Sequence, residues 1–179
     1  MILITAFEPF GGKARNASAE VLRLLPEEIA GCRVRKLVLP VVFGRAAELV
    51  LQQEADAVFM LGEAGGRTAV TPEIRAANLR DARIPDNAGA QPRNEKILED
   101  GPDHCYTRIP VRRITAQLRR EGYAAEVSED AGTFVCNETF YLVGTALRVL
   151  AEFIHCPGDE GRAPEFAETV RRFICLAIR

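Results

Sequence analysis

Apolar residues follow two rhythms along this chain. Short runs of strand type occupy residues 1–5, 34–42, 57–61, 124–127 and 152–155. Runs of this length, rich in branched residues and bounded by Gly or Pro, read as buried strands. Between them apolar residues recur every three or four positions. Val21, Leu22 and Leu25 follow a capping Ser18 and stop before Pro26 and Gly31. Ala46, Leu49 and Val50 lie within 45–53, and Val111, Ile114 and Leu118 within 111–120. Phe140, Val143 and Leu147 lie within 137–150. Phe166, Val170, Phe173, Ile174 and Ala177 follow Pro164, at a position where proline opens helices. This spacing predicts five amphipathic helices.

Strands alternating with helices predict an α/β fold: an open, largely parallel twisted sheet with helices on both faces. No repeat, low-complexity tract or Gly/Ser-rich linker divides residues 1–179, so one catalytic-sized domain is expected. Residues 84–110 break the pattern with Pro85, Pro92, Pro102 and Pro110. A loop that long is usually functional or mobile, and it has room for a hairpin.

Charge narrows the partners. Against 25 acidic residues stand 23 basic ones, a net charge of -2 that leaves no footprint for nucleic acid or an anionic membrane. No apolar run reaches the ~18 residues of a membrane-spanning helix. The opening MILITAF lacks a basic start and runs into EPFGG, so it reads as a strand, not a secretion signal. Cys32, Cys105, Cys136, Cys156 and Cys175 are odd in number and widely spaced, which argues for a reducing cytoplasm and against a disulfide framework.

In open α/β sheets, ligands gather at the carboxyl ends of strands. Three segments stand there: FEPFGG, GEAGGR and AGTFVCN. Cys136 closes the last, where a helix begins. The helix dipole and unpaired N–H groups at such a position favour a thiolate and can bind an oxyanion. His155 ends the strand FIH at the same edge and could take the thiol proton. Each also reads as a plain structural residue, a buried small apolar side chain or a strand-capping imidazole. Glu73 in TPEIRAAN and Arg83 in DARIPDN are, on spacing alone, indistinguishable from solvated surface residues. GEAGGR matches neither GxGxxG nor GxxxxGK[ST], so no nucleotide cofactor is expected. The pairs His104–Cys105 and His155–Cys156 make poor chelators, because adjacent strand residues face opposite ways, and no metal is expected.

Taken in order, ILITAFEPFGG, LPVVFG, GEAGGRTAVTPEIRAANLRDARIPDN, AGTFVCN and FIHCP resemble the pyroglutamyl peptidase I family of cysteine peptidases. The resemblance implies a phosphorylase/hydrolase-like three-layer sandwich and a cytoplasmic omega-peptidase that removes N-terminal pyroglutamate through a thioester. It places the catalytic glutamate, cysteine and histidine on Glu73, Cys136 and His155, and associates Arg83 with the oxyanion. It assigns the apolar slot for the flat lactam to Phe7, Phe10, Ile84, Phe134 and Val135, with Glu63 standing where the family usually has glutamine. It implies peptides with N-terminal pyroglutamate as partners and a homo-oligomer, commonly a tetramer. Three other readings are weighed: an amidase with shifted acyl specificity because of Glu63, a non-catalytic pyroglutamyl-peptide binder, and a nucleoside-phosphorylase-like enzyme, for which no phosphate site is visible.

Overall fold

The computed structural model describes residues 1–179, the side chain of Glu160 excepted. One sheet carries the fold. Its strands are β1 (Ile2–Phe7), β2 (Glu28–Ile29), β3 (Cys32–Leu39), β4 (Ala57–Ala64), β5 (Thr71–Pro72) and β8 (Leu150–Pro157), in spatial order β2-β3-β1-β4-β8-β5. The four middle strands are parallel, and the two short edge strands run antiparallel. A separate antiparallel pair, β6 (Arg75–Ala77) with β7 (His104–Tyr106), closes the base of the Pro-rich segment. The room for a hairpin is thus used: Arg80 and Glu95 form a further bridge inside it. His104, within that segment, is half-buried on β7 opposite Ala77.

The helices are α1 (Ala17–Leu24), α2 (Arg45–Leu51), α3 (Val111–Arg120), α4 (Val135–Ala146) and α5 (Ala163–Ala177). They sort onto two faces by the alternation of the strands. Ile2, Ile4, Phe59, Leu61, Ile154 and Cys156 face α1, α3 and α5. Leu3, Phe7, Val58, Met60, Ala151 and Phe153 face α2 and α4. Burying each such large side chain contributes about 1.5–3 kcal/mol, which holds the three layers together.

Three local expectations change. Residues 124–127 form no strand; Ala125 and Ser128 make only isolated bridges to Val70 and Glu73. Backbone bonds still run from Val70 N to Ala124 O, Glu126 N to Val70 O and Ser128 N to Pro72 O, but Pro72 has no N–H to donate, which interrupts the ladder. Asn16, not Ser18, caps α1, its side chain accepting from Ser18 N at 3.0 Å. Finally, α4 begins at Val135 and ends at Ala146, so Cys136 lies inside its first turn.

Candidate active site

Strand parity builds the site. On β8, residues 151, 153 and 155 point toward α4, and on β4 so do 58, 60 and 62. His155 therefore follows Phe153 on the α4 face, their rings 4.9 Å apart. Its register partner on β4 is Gly62. A Cβ on Gly62 would lie 3.0 Å from the Cys136 sulfur and 2.7 Å from the Phe153 ring. The sulfur thus rests directly over a position only glycine can fill. The sulfur stands over β4, beside the strand that carries His155.

Glu73 arrives from the edge. It follows β5, whose Thr71 pairs with His155, and its own N–H donates to Phe153 O at 2.9 Å. Its carboxylate is fully buried, and Oε1 accepts from His155 Nδ1 at 2.7 Å. Burial alone would push that carboxyl up, but the hydrogen bond and charge of His155, with Arg67 beside them, hold it below the usual range. An ionised carboxylate can only accept, so Nδ1 carries the proton and Nε2 is left as a base.

Cys136 is half-buried, and its surroundings favour the thiol. Burial pushes its thiol up to about 12, the Glu73 charge adds to this, and Arg67 and the Cys136 backbone N–H oppose it without prevailing. The expected helix-terminus activation is therefore outweighed by desolvation. Its helix is clamped from both sides. Asn137 Oδ1 accepts from Ala77 N at 2.8 Å, and its Nδ2 donates to the carbonyls of Ala77 and Leu79, both at 2.9 Å. Glu138, fully buried, accepts from Arg80 and from Gly44 N.

The residues assigned to the acyl slot separate. Phe10 and Phe134 are half-buried with rings 6.0 Å apart, and Ile84 is exposed beside Gly11. Phe43, which sequence reasoning missed, stands edge-on to Phe134 at 5.3 Å. Phe7 and Val135 lie in the core beneath this group. Glu63 turns elsewhere: it pairs with Lys13 and accepts from Ala17 N at 2.7 Å, tying down the start of α1. Arg83 is exposed, with its carbonyl accepting from Gln91 Nε2 at 3.0 Å. Arg67, within the GEAGGR segment set aside as a poor phosphate loop, donates to Glu73 Oε1 at 2.6 Å. Among the described residues, no group of three or more His, Cys, Asp or Glu side chains could hold a metal ion.

A buried acid, an oriented imidazole and a thiol on one sheet edge meet the geometric roles of a cysteine hydrolase. Known proteins agree. Residues 1–159 match the family model described as pyroglutamyl peptidase. This chain belongs to the pyroglutamyl peptidase family. A pyrrolidone-carboxylate peptidase of Levilactobacillus brevis is 45% identical over 165 residues, covering 87% of this chain and 81% of that protein. One from Streptococcus pneumoniae serotype 4 is 42% identical, over 99% and 87%. Among solved structures, pyrrolidone carboxyl peptidase from Thermus thermophilus superimposes with a TM-score of 0.88 at 38% identity, covering 99% of this chain and 98% of that one. Pyroglutamyl peptidase I from Bacillus amyloliquefaciens gives 0.90 at 33%, covering 98% and 95%. As a family member the chain is a cysteine hydrolase.

Proposed function

We propose that this chain removes N-terminal pyroglutamate from peptides, with Cys136 as nucleophile, His155 as general base and then acid, and Glu73 as its orienting partner. The observation that carries this reading is the 2.7 Å Glu73–His155 pair standing beside a sulfur seated on Gly62. Substrate brings the thiol proton to His155 Nε2 as sulfur attacks the lactam-bearing acyl carbonyl. The resulting oxyanion meets the N–H groups that open α4, which have no carbonyl partner in the helix. Arg83, exposed on its loop, is the side-chain cation assigned to that oxyanion. The imidazolium then protonates the leaving amine, and the shortened peptide departs. Water, losing its proton to His155, hydrolyses the thioester to pyroglutamate and regenerates the thiol.

The raised thiol suits this order of events. A thiol that keeps its proton leaves the sulfur uncharged until an acyl group arrives. The lactam ring finds flat apolar walls in Phe10, Phe43 and Phe134, with Ile84 at the rim and Phe7 and Val135 supporting from below. Glu63 does not disfavour this uncharged ring, because Lys13 and the α1 N-terminus already occupy its carboxylate. That removes the reason for a shifted acyl specificity.

The same reading takes pyroglutamyl peptides as partners and the cytoplasm as compartment. All five cysteines are free, and no helix is long and apolar enough to cross a membrane. A homo-oligomer, a tetramer by the family resemblance, would cover the exposed Val38 and Tyr106, and light scattering measures it. The deciding assay offers a chromogenic pyroglutamyl amide beside its glutamyl and prolyl counterparts. Cleavage of the first alone is expected; neglect of all three would overturn the assignment.

A further inference from the structure

Arg67 plays no part in the mechanism just given, yet it is built into its centre. Its Nη1 donates to Glu73 Oε1 at 2.6 Å, the same oxygen that takes His155 Nδ1, and also to the Thr71 hydroxyl. Its Nη2 donates to Asp130 O at 2.9 Å, in the loop that leads to the nucleophile helix. The other oxygen of Glu73, Oε2, is buried with no hydrogen-bond partner. A buried carboxylate whose bonds all converge on one oxygen is not held by saturation of its lone pairs. It is held by its counter-charge and by the direction that charge imposes.

We infer that Arg67 is a positioning residue of the reaction, supplying the counter-charge of Glu73, fixing Oε1 on His155 Nδ1 and joining that pair to the loop before Cys136. The inference rests on the peptidase reading above. The groups that face Glu73 are His155 and Glu152 from β8, Cys136 from α4 and Arg67 from the loop before β5. Ser128 faces Glu73 across an isolated bridge and also helps to hold that carboxyl down. On the outer side of Arg67, a cleft of about 460 Å³ is also lined by Glu126 and Glu129. Glu152 is a buried acid hydrogen-bonded by Thr107 Oγ1 at 2.6 Å, and burial holds it protonated well above the carboxylate range. Arg67 is thus the one permanent cation in direct contact with Glu73 among the described residues. A planar fork can bridge Thr71, Glu73 and Asp130 at once, which a lysine ammonium cannot.

Removing that cation favours added protons on every member of the cluster, so the acid side of the activity profile moves upward whichever member takes the first. The test measures kcat and KM against pH on the pyroglutamyl amide for wild type, R67Q and R67K. The imidazole Nδ1 proton is followed by NMR without substrate. R67Q is expected to lose kcat by about tenfold or more with KM within about twofold, the signature of a weakened acid–base step. Its acid limb should rise by about one pH unit, the lower end of what an adjacent arginine does to a carboxylate. The Nδ1 proton should broaden or disappear by faster exchange. R67K should fall between the two in kcat and acid limb, and it carries the test alone where R67Q does not fold. An unchanged acid limb and Nδ1 signal in the variants would overturn the inference, as would a pH-independent loss that R67K does not relieve. A wild type inactive on the amide would instead overturn the peptidase reading, while the Nδ1 signal would still report on Arg67.

Discussion

His155 and Cys156 are neighbours on β8, and they divide the molecule into two regions that look alike and behave differently. On the α1/α3/α5 face, Cys156 is fully buried among Ile154, Phe166 and Phe173, and burial pushes its thiol up to about 12. On the α4 face, Cys136 is also pushed up to about 12, mainly by burial. Resting acidity therefore does not distinguish the proposed nucleophile, which is half-buried, from a core sulfur. The neighbours do. Cys136 has an imidazole over the adjoining strand, a carboxylate behind it, a cation tied to that carboxylate, and helix N–H groups in front. Cys156 has apolar packing and the charge of Glu63, its register partner on β4, but no imidazole.

The contrast can be broken most severely at the sulfurs themselves. C136S is expected to lose at least about a thousandfold in kcat on a pyroglutamyl amide, because an alkoxide is much harder to form than a thiolate at this site. C156S should keep kcat within about twofold and instead lose about 1–3 kcal/mol of stability, from a buried hydroxyl without a partner. Steady-state kinetics and denaturant melts on both variants check this reversal.

Next in size is the acid. E73Q removes the charge that stabilises the imidazolium while keeping the shape, and a loss of about a hundredfold or more in kcat is expected. Gly62→Ala attacks the floor. Its methyl would meet the Phe153 ring at 2.7 Å and the Cys136 sulfur at 3.0 Å, so both must move. A displacement near 1 Å costs about a hundredfold in a positioned reaction, and overpacking adds about 1–3 kcal/mol of destabilisation. Near-normal kinetics in this variant would show that the sulfur does not depend on that glycine.

Smaller still is the pH response of thiol labelling. A thiol near 12 is almost wholly protonated at neutral pH, and its thiolate fraction grows about tenfold per pH unit. Alkylation of Cys136 in the free enzyme should therefore climb steadily through the alkaline range, with no plateau at low pH. The smallest effect belongs to Glu63→Gln. The ion pair with a half-exposed Lys13 is lost but an amide oxygen can still accept from Ala17 N, so about 1 kcal/mol of stability and little activity should change. A large gain in kcat would place that side chain against the substrate.

Much of this was legible in the sequence, for reasons that can be named. The short apolar strand runs and the amphipathic helices placed FIH, AGTFVCN and GEAGGR at one edge, because parallel strands put their carboxyl ends together. The parity that sets His155 against Cys156 follows from adjacent strand residues facing opposite ways. What stayed hidden depends on long-range pairing. Glu73 gains its role only through the antiparallel edge strand β5, two residues long and without a periodic signal. Gly62 matters through a contact with the residue 74 positions later, and Phe43 through its edge-on contact with Phe134. Arg67 looked like part of a glycine loop, since nothing local marks an arginine that reaches a carboxylate six residues on. The thiol's state was misjudged because helix position is local and visible, whereas desolvation belongs to the assembled core.

The most direct measurement is an acid quench during turnover of a pyroglutamyl amide, followed by peptide mapping of the trapped acyl group. A pyroglutamyl thioester on Cys136, absent from C136S and undiminished by C156S, is the predicted result. Turnover with the acyl group on another cysteine, or with no acyl-enzyme on any side chain, would contradict the account.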